Sequence, residues 1–271
     1  MTENASISTT QHTITVIGGG QIGEALVSGL AASGETAMTV TNRRAERRAE
    51  LADHYGVSTT DDNAAAVKDA DVVFLCVKPY AIVDVATEIA DALPQDAVVV
   101  SLAAGVRLET LEAAVANPVV RVMPNTPMLL GRGMSIVTPG SRVSDEQLAL
   151  VRELMDAVGE TAIVEEKNMD AATALSGSSP AYFFLVADAL IDAGVALGVP
   201  RDTASKLVNY ALAGSGEMLI NSGSDASTLR ANVTSPGGTT AAAVRELEES
   251  GLRGAFYRAA EACANRAAEL G

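Results

Sequence analysis

The sequence contains no tryptophan and few other aromatic residues. Aromatic side chains make up 3% of the 271 residues, whereas 48% of the residues are hydrophobic. The core must therefore be built from aliphatic side chains and alanine, which suits closely packed helices better than an aromatic-rich β-sandwich. A chain of this length is long for one compact domain and comfortable for two.

Cysteine and histidine are also scarce, with two of each. Cys76 and Cys263 lie far apart, and Cys76 falls in an apolar run, where a buried thiol behaves as a small hydrophobe. Neither a disulfide framework nor a Cys/His metal cluster is supported, so we expect no metal site. We interpret His12 and His54 as surface residues rather than proton donors.

Basic residues are in the minority, since 34 acidic residues against 19 basic ones give a formal net charge of −15. Nucleic-acid binding through a basic surface is not expected, because phosphate neutralisation requires clustered Lys and Arg. Most of the basic residues are arginines. Acid-rich, lysine-poor chains resemble cytoplasmic proteins of salt-loving organisms, in which salt screens carboxylate repulsion. An ordinary acidic protein is the alternative to this halophilic interpretation.

Residues 1–11 are polar and lack the basic start and apolar centre of a signal peptide. We interpret them as a disordered leader. No apolar stretch approaches membrane-spanning length without interruption, so we expect a cytoplasmic protein that does not bind membranes.

Strand-like and helix-like segments alternate between Thr13 and Val122. This alternation predicts an α/β fold with a Rossmann-type doubly wound, parallel sheet that is covered by helices on both faces. Two late strands are predicted at 134–138 and 161–164, around a helix at 145–158. Beyond Lys167 only helical periods remain, separated by turns that contain glycine or proline. The predicted late helices are Ala181–Leu197, Arg201–Ile220, Thr240–Glu249 and Leu252–Leu270.

We therefore predict a dinucleotide-binding domain over residues 12–165 and an all-helical substrate-binding and dimerisation domain over residues 166–271. A helical half of about 100 residues has a thin core of its own. Burial against a second subunit would compensate, so we expect a homo-oligomer, either a dimer or a larger assembly. A self-contained helical bundle is the alternative.

A glycine-rich turn joins the first predicted strand to the first helix. Gly18, Gly20 and Gly23 form the pattern G-x-G-x-x-G in that turn. Its first glycine permits a tight turn, its second lets the backbone approach a pyrophosphate, and its third allows close packing of helix and strand. Free N–H groups at the helix start then bind the phosphates. We expect Gly18–Gly23, with Gln21 and Ile22, to bind a nicotinamide dinucleotide; a plain turn is the alternative.

The residues after the second strand distinguish the two nicotinamide cofactors. An NAD-preferring site usually has an acidic residue here that accepts from the ribose 2′-hydroxyl. This chain has Asn42, Arg43 and Arg44 instead, and two guanidiniums can pair with a 2′-phosphate. The predicted cofactor is NADPH, with NADH as the second choice. Alternatively, Arg43 and Arg44 only begin a solvated helix that continues through Arg47 and Arg48.

Two further loops follow strand ends, where ligands bind in open α/β sheets. One is Lys78-Pro79-Tyr80 and the other is Ala103-Ala104-Gly105. For Lys78 we favour a role of its backbone in positioning the loop over a role as a general acid or phosphate partner.

The segment from Asn232 to Thr240 is a turn that opens a helix and is rich in hydroxyl groups. Hydride transfer requires that the acceptor be fixed beside the nicotinamide, and a hydrogen-bond donor assists it. A helix start binds a carboxylate well, because its N–H groups and its dipole face the anion. The alternative is simple capping of the helix by Thr239, which needs only one hydroxyl.

The same segment carries a family resemblance. Residues 233–248, Val-Thr-Ser-Pro-Gly-Gly-Thr-Thr-Ala-Ala-Ala-Val-Arg-Glu-Leu-Glu, resemble the signature of pyrroline-5-carboxylate reductases, which catalyse the last step of proline synthesis. Residues 74–79, 101–106, 121–127 and 175–182 agree with the same family in order. The resemblance implies NADPH-dependent reduction of 1-pyrroline-5-carboxylate to L-proline, by hydride transfer to the cyclic imine carbon.

The resemblance also implies roles for individual residues. Thr240 would hydrogen-bond the ring nitrogen as the catalytic residue, and Glu166 would contact the substrate. The substrate carboxylate would lie in the turn that contains Ser235, Gly237, Gly238, Thr239 and Thr240. The implied cofactor contacts beyond the glycine turn are Asn42, Arg43, Asn63, Val77, Lys78, Pro79, Ala103, Ala104, Gly105 and Asn232. Family members are dimers or larger assemblies, and helices of a neighbouring subunit complete their active sites.

Two positions depart from the usual family pattern. Ser179 replaces a glycine, and Gly23 stands where alanine is common; we expect position 23 to accept either residue, because both allow close packing. The alternative enzyme class is a 3-hydroxyacid or imine dehydrogenase with the same domain order. Those enzymes usually carry a lysine proton donor on the long helix after the domain boundary. Residues 177–197 contain no lysine, which argues against this alternative. A dinucleotide-sensing protein would explain the glycines and arginines but not the Ser235–Thr240 turn.

Overall fold

The computed structural model describes residues 12–270, so the predicted leader lies outside the described part of the chain. Contacts divide the chain into two compact units. Among the described residues, the first contains residues 12–177 together with 263–270, and the second contains residues 178–262. The domain boundary that we placed between residues 165 and 166 stays a prediction.

The first unit is built on an eight-stranded sheet with the strand order β3-β2-β1-β4-β5-β6-β7-β8. Its strands are β1 (Ile14–Ile17), β2 (Met38–Thr41), β3 (Ser58–Thr60), β4 (Val72–Leu75), β5 (Val98–Ser101), β6 (Val119–Met123), β7 (Gly133–Pro139) and β8 (Gly159–Ile163). The first six strands pair in parallel, which confirms the predicted doubly wound sheet.

The direction of the two late strands was not predicted, and the structure shows that one of them reverses. β7 runs antiparallel to β6, and β8 is parallel to β7. The connection from β6 to β7 spans residues 124–132 and contains a 3₁₀ turn at Thr126–Leu130. A crossover between parallel strands needs about a dozen residues or more, so this connection is too short for one and the chain reverses direction.

Seven α-helices belong to the described part of this unit, before residue 177. They are α1 (Gln21–Ser33), α2 (Ala45–Tyr55), α3 (Asn63–Ala66), α4 (Ile82–Ile89), α5 (Leu108–Ala114), α6 (Asp145–Asp156) and α7 (Met169–Ala172). Alternate residues of β4 enter two separate apolar clusters, Val72 and Phe74 in one and Val73 and Leu75 in the other. Because successive side chains point to opposite faces of a strand, both faces of the sheet are covered.

The second unit is helical. After α7 a π-helical turn, Thr173–Gly177, leads to α8 (Ser179–Ala196), α9 (Arg201–Asn221), α10 (Ala226–Asn232), α11 (Thr239–Glu249) and α12 (Leu252–Leu270). The end of α12, from Cys263 on, belongs to the first unit. The short helix α10 was not predicted, and the four predicted helices are confirmed. α8 and α9 pack through small residues, since a Cβ added to Gly194 would lie 3.3 Å from the Cβ of Ala204.

Large apolar side chains of the second unit are exposed. Phe184, Leu185 and Tyr210 are 67%, 70% and 75% exposed. An apolar groove between α8 and α9 is lined by Leu190, Leu207, Val208, Ala211, Leu212 and Ser215. Exposed apolar side chains beside an apolar groove are typical of surfaces that another molecule covers.

The helical run Glu166–Ala196 is long and apolar enough to cross a membrane, by length and composition alone. Our expectation that no stretch would reach this length is therefore wrong, because α7, the π-helical turn and α8 join into one run. Core helices of soluble proteins pass the same test, so this property by itself is weak evidence for a membrane span.

Candidate cofactor and substrate sites

The glycine turn after β1 is held tightly by its neighbours. Gly18 has a φ of +106°, a value that residues with a Cβ atom rarely adopt. A Cβ at this position would also lie 2.9 Å from the carbonyl oxygen of Cys76. The N–H groups of Gly18 and Gly19 donate to the carbonyl of Thr41, at 3.1 and 3.0 Å. The turn therefore requires glycine at position 18.

Gly20 differs, because the fold itself does not require glycine there. Its backbone is extended (φ −81°, ψ −166°), and a Cβ would meet no protein atom within 4 Å. It is the N-cap of α1 and provides no side-chain cap, so the first N–H groups of the helix have no acceptor in a preceding turn. An open space in front of free N–H groups fits a pyrophosphate.

Gly23 lies inside α1, where the helix approaches the glycine turn. A Cβ at this position would lie 2.1 Å from the carbonyl oxygen of Gly18 and 3.3 Å from the Cβ of Cys76. The expectation that position 23 accepts alanine equally well is therefore wrong for this chain. Alanine would require α1 and the turn to move apart, because backbone rather than a flexible side chain occupies the space.

The loop that follows β2 presents two free arginines. Asn42 accepts a hydrogen bond from the N–H of Arg44 at 3.0 Å, and the N–H of Asn42 donates to Thr60 at 3.1 Å. The side chains of Arg43 and Arg44 are exposed and make no hydrogen bond or ion pair within residues 12–270.

Arg47 and Arg48 do not continue a solvated face, so the alternative interpretation of this arginine run is wrong for them. Their side chains are only 16% and 20% exposed. Arg47 donates to the carbonyl of Gly19 at 3.0 Å, and Arg48 donates to the carbonyl of Asn42 at 2.8 Å. The four arginines therefore fall into two groups. Arg47 and Arg48 support the loops, whereas Arg43 and Arg44 are free to bind an anion.

Asn63 lies beside the end of β2. It is the first residue of α3, which Asp62 caps by accepting from the N–H of Ala65 at 2.9 Å. The hydroxyl of Thr41 donates to the Oδ1 of Asn63 at 2.7 Å, so the orientation of the amide is set by the strand. The adenosine-side contact predicted for Asn63 stays a prediction.

The two remaining predicted cofactor loops follow β4 and β5. Val77 and Lys78 lead into a 3₁₀ turn that starts at Pro79, and the carbonyl of Lys78 accepts from the N–H of Ala81 at 2.9 Å. The loop from Ala103 to Gly105 includes a positive φ of +79° at Gly105. These loops follow strands that pair side by side with β1 and β2, and all four strands are parallel. The sheet therefore brings the predicted cofactor residues of this unit to one edge.

Glu166 joins three elements of the first unit. Its Oε1 accepts from the Nη1 of Arg121 on β6 at 2.8 Å and from the N–H of Leu108, the first residue of α5, at 3.1 Å. Arg121 is buried, with 5% of its side chain exposed. Its Nε and the Oε2 of Glu166 are buried and find no partner in the described structure. The substrate contact predicted for Glu166 stays a prediction.

The turn before α11 has the properties of an anion site. Gly237 has a φ of +70°, and Gly238 is the N-cap of α11 and has no side chain to cap the helix. The helix begins at Thr239, so the alternative that Thr239 is the capping residue is wrong. The hydroxyls of Thr239 and Thr240 form no hydrogen bond within the described residues, whereas Thr234 donates to the carbonyl of Arg230 at 2.6 Å.

Two family descriptions match the chain. Residues 166–270 match "Pyrroline-5-carboxylate reductase dimerisation", and residues 13–105 match "NADP oxidoreductase coenzyme F420-dependent". A pyrroline-5-carboxylate reductase of Corynebacterium melassecola is 57% identical over 266 residues, which cover 96% of this chain and 98% of the relative. The chain belongs to the pyrroline-5-carboxylate reductase family.

Solved structures agree with this membership. A pyrroline-5-carboxylate reductase of Coxiella burnetii superposes with a TM-score of 0.93 at 38% identity, covering 96% of this chain and 99% of that one. A Plasmodium falciparum pyrroline carboxylate reductase with NADP bound has a TM-score of 0.84 at 29% identity, covering 96% and 98% of the two chains. The cofactor of this reductase is a nicotinamide dinucleotide, NAD(P)H.

Three residues that support these sites were missed by the sequence analysis: Arg47, Arg48 and Arg121. Arg121 interrupts the apolar run of β6, and a charge in a buried strand requires a partner, which is a signal that the sequence does contain. For Arg47 and Arg48 the sequence does not show that they support the loops, because the carbonyl groups of Gly19 and Asn42, which they bind, come from loops that only the fold brings beside α2.

Proposed function

We propose that this reductase uses NADPH to reduce 1-pyrroline-5-carboxylate to L-proline. The observation that carries the proposal is its 57% identity, over 96% of the chain, to a pyrroline-5-carboxylate reductase. The open helix start at Gly20 and the free guanidiniums of Arg43 and Arg44 support NADPH as the cofactor. When bound, the cofactor supplies the hydride.

The cofactor residues act by binding and orientation. The N–H groups at the start of α1 hold the pyrophosphate, where the positive end of the helix dipole favours an anion. Arg43 and Arg44 pair with the 2′-phosphate, and the loops at 77–79 and 103–105 hold the nicotinamide half. Asn63 contacts the adenosine side, and Asn232 contacts the cofactor near the reacting carbon.

The substrate residues act on the carboxylate and the ring nitrogen. Ser235, Gly237, Gly238 and Thr239 hold the carboxylate at the start of α11, whose first turn carries no acidic residue. The hydroxyl of Thr240 hydrogen-bonds the ring nitrogen. One proton on that nitrogen and one hydride on the neighbouring carbon convert the C=N bond into the amine of proline. The proton arrives with the substrate or through Thr240 and water.

We further propose a homo-oligomer in which the exposed faces of α8 and α9 pack on a second copy of the chain. The match of residues 166–270 to a dimerisation domain and the exposed groove between the two helices support this assembly. We also propose a cytoplasmic location, and the acidic, lysine-poor composition supports adaptation to salt. We expect neither nucleic acid nor membrane as a partner. Residues 12–165 serve as the dinucleotide-binding domain and residues 166–271 as the substrate-binding and dimerisation domain.

The substrate assignment is tested by the Thr240→Ala variant. NADPH oxidation is followed with and without 1-pyrroline-5-carboxylate, and proline is quantified as the product. Loss of the hydroxyl should lower kcat by about 100-fold, as for a positioned donor at a reacting centre, with little change in the Kd of NADPH. Thr240→Ser keeps the hydroxyl and should retain most of the turnover. Thr234→Ala is the matched control, because that hydroxyl is bonded to the carbonyl of Arg230.

Full turnover in Thr240→Ala would show that the assigned role of its hydroxyl is wrong.

The cofactor assignment is tested separately with Arg43→Ala and Arg44→Ala, by comparing kcat/KM for NADPH and NADH. A preference that survives both substitutions would contradict the phosphate contact.

A further inference from the structure

Arg48 joins three parts of the first unit around the loop Asn42–Arg44. Its Nη1 donates to the main-chain carbonyls of Asn42 at 2.8 Å and Arg43 at 3.2 Å. Its Nη2 lies 3.1 Å from the carboxylate of Asp61, which follows β3. A single guanidinium therefore ties α2, the loop and the end of β3 together.

The backbone of this loop is held while its ligand-facing side chains are free. Besides the two bonds from Arg48, the N–H of Asn42 donates to Thr60, and the side chain of Asn42 accepts from Arg44. The guanidiniums of Arg43 and Arg44 have no partner within residues 12–270. A loop with a fixed main chain and free binding groups loses less conformational freedom when a ligand binds, which increases affinity.

The preceding residue supports a different loop. Arg47 donates to the carbonyl of Gly19 in the glycine turn at 3.0 Å and pairs with Glu24 of α1 and with Glu50. The hydrogen bonds to Glu24 and Glu50 raise the pKa of Arg47, and the bond to Glu24 has the larger effect. The glycine turn serves the pyrophosphate, which NADPH and NADH share, whereas only NADPH carries the 2′-phosphate.

We propose that Arg48 is a positioning residue for cofactor specificity. It fixes the Asn42–Arg44 loop so that Arg43 and Arg44 meet the 2′-phosphate of NADPH, and it does so without touching the cofactor. Asp61 and two carbonyl groups already use both terminal nitrogens of Arg48, which leaves the phosphate to the free arginines. The proposal rests on the phosphate contact assigned above to Arg43 and Arg44.

The test uses Arg48→Met, which keeps the apolar stem and removes the donors. The ratio of kcat/KM for NADPH to that for NADH should fall about tenfold, the size expected for lost hydrogen bonds from a charged donor. The kcat/KM for NADH should stay close to that of the parent enzyme. Arg48→Lys, which keeps a charged donor, should recover part of the ratio. Arg47→Met is the matched comparison and should weaken both cofactors alike, leaving the ratio unchanged.

A double-mutant cycle separates positioning from direct contact. If Arg48 acts through the loop, adding Arg48→Met to the double variant Arg43→Ala/Arg44→Ala should lower the ratio no further than that double variant alone. Additive losses would overturn the proposal in favour of direct contact, and equal losses for both cofactors in Arg48→Met would overturn it in favour of a purely structural role. An unchanged ratio in Arg48→Met beside a lowered ratio in Arg43→Ala would overturn this inference alone. Unchanged ratios in the separate variants Arg43→Ala and Arg44→Ala would overturn the phosphate contact and this inference together.

Discussion

Removal of the Glu166 carboxylate should destabilise the first unit strongly, because it leaves a buried charge without its partner. In Glu166→Ala, the guanidinium of Arg121 keeps its place on β6 with 5% of the side chain exposed. The N–H of Leu108 also loses its acceptor. Breaking a buried ion pair costs about 3–5 kcal/mol, whereas an exposed pair contributes about 0–1 kcal/mol.

The geometry places this pair between those limits. The side chain of Glu166 is 33% exposed, so water replaces part of the lost interaction. We expect a loss of about 2–3 kcal/mol. At about 2–4 °C per kcal/mol for a domain of this size, the unfolding midpoint should fall by about 4–12 °C.

The assay is thermal unfolding of the cofactor-free protein at one fixed protein concentration, because association raises the midpoint of an oligomer. Lys167→Ala is the control: the neighbouring pair of Lys167 with Glu165 is 73% and 71% exposed, and its loss should move the midpoint by less than about 4 °C. Adding Arg121→Met to Glu166→Ala should restore stability, since it removes the unpaired charge. A Glu166→Ala midpoint no lower than that of Lys167→Ala, or a further fall in the double variant, would refute this reasoning.

Three further predictions concern the glycine turn and the half-buried thiol of Cys76. Gly20→Asp should keep or raise the unfolding midpoint, because aspartate is a good N-cap and meets no protein atom, yet weaken NADPH binding in calorimetry at least about tenfold. Gly23→Ala should lower stability by about 1–3 kcal/mol in denaturant unfolding, because its Cβ would lie 2.1 Å from the carbonyl of Gly18; a parental midpoint would contradict the close approach. Burial raises the pKa of Cys76 to about 12, so little thiolate is present at pH 8. In a Cys263→Ser variant, a reagent that reacts with thiolates should therefore label the native protein slowly at pH 8. Rapid labelling would contradict that pKa.

Much of the fold follows from periodicity, and the exceptions have physical causes. β3 is three polar residues, Ser58–Thr60, which show no apolar alternation because the strand lies at the sheet edge. α10 is a seven-residue helix between two turn signals, too short for a clear helical period. The antiparallel direction of β7 is invisible to periodicity, and the length of the connection before it is the only local signal.

Some properties of the site residues can also be predicted from the sequence, whereas others depend on the fold. The need for glycine at position 18 can be predicted from the motif, whereas the crowding at Gly23 depends on how closely α1 approaches a carbonyl. Arg43 and Arg44 can be distinguished from Arg47 and Arg48 only once α2 is placed beside the two loops. Until then all four residues form one basic run.

The reaction of this reductase depends on hydride transfer from the nicotinamide to the imine carbon. The most direct measurement is turnover of 1-pyrroline-5-carboxylate with NADPH that carries deuterium at both C4 positions, followed by mass spectrometry of the product. We expect proline with one deuterium, on the ring carbon that formed the C=N bond. Unlabelled proline, or NADPH consumption that does not depend on the imine, would contradict it.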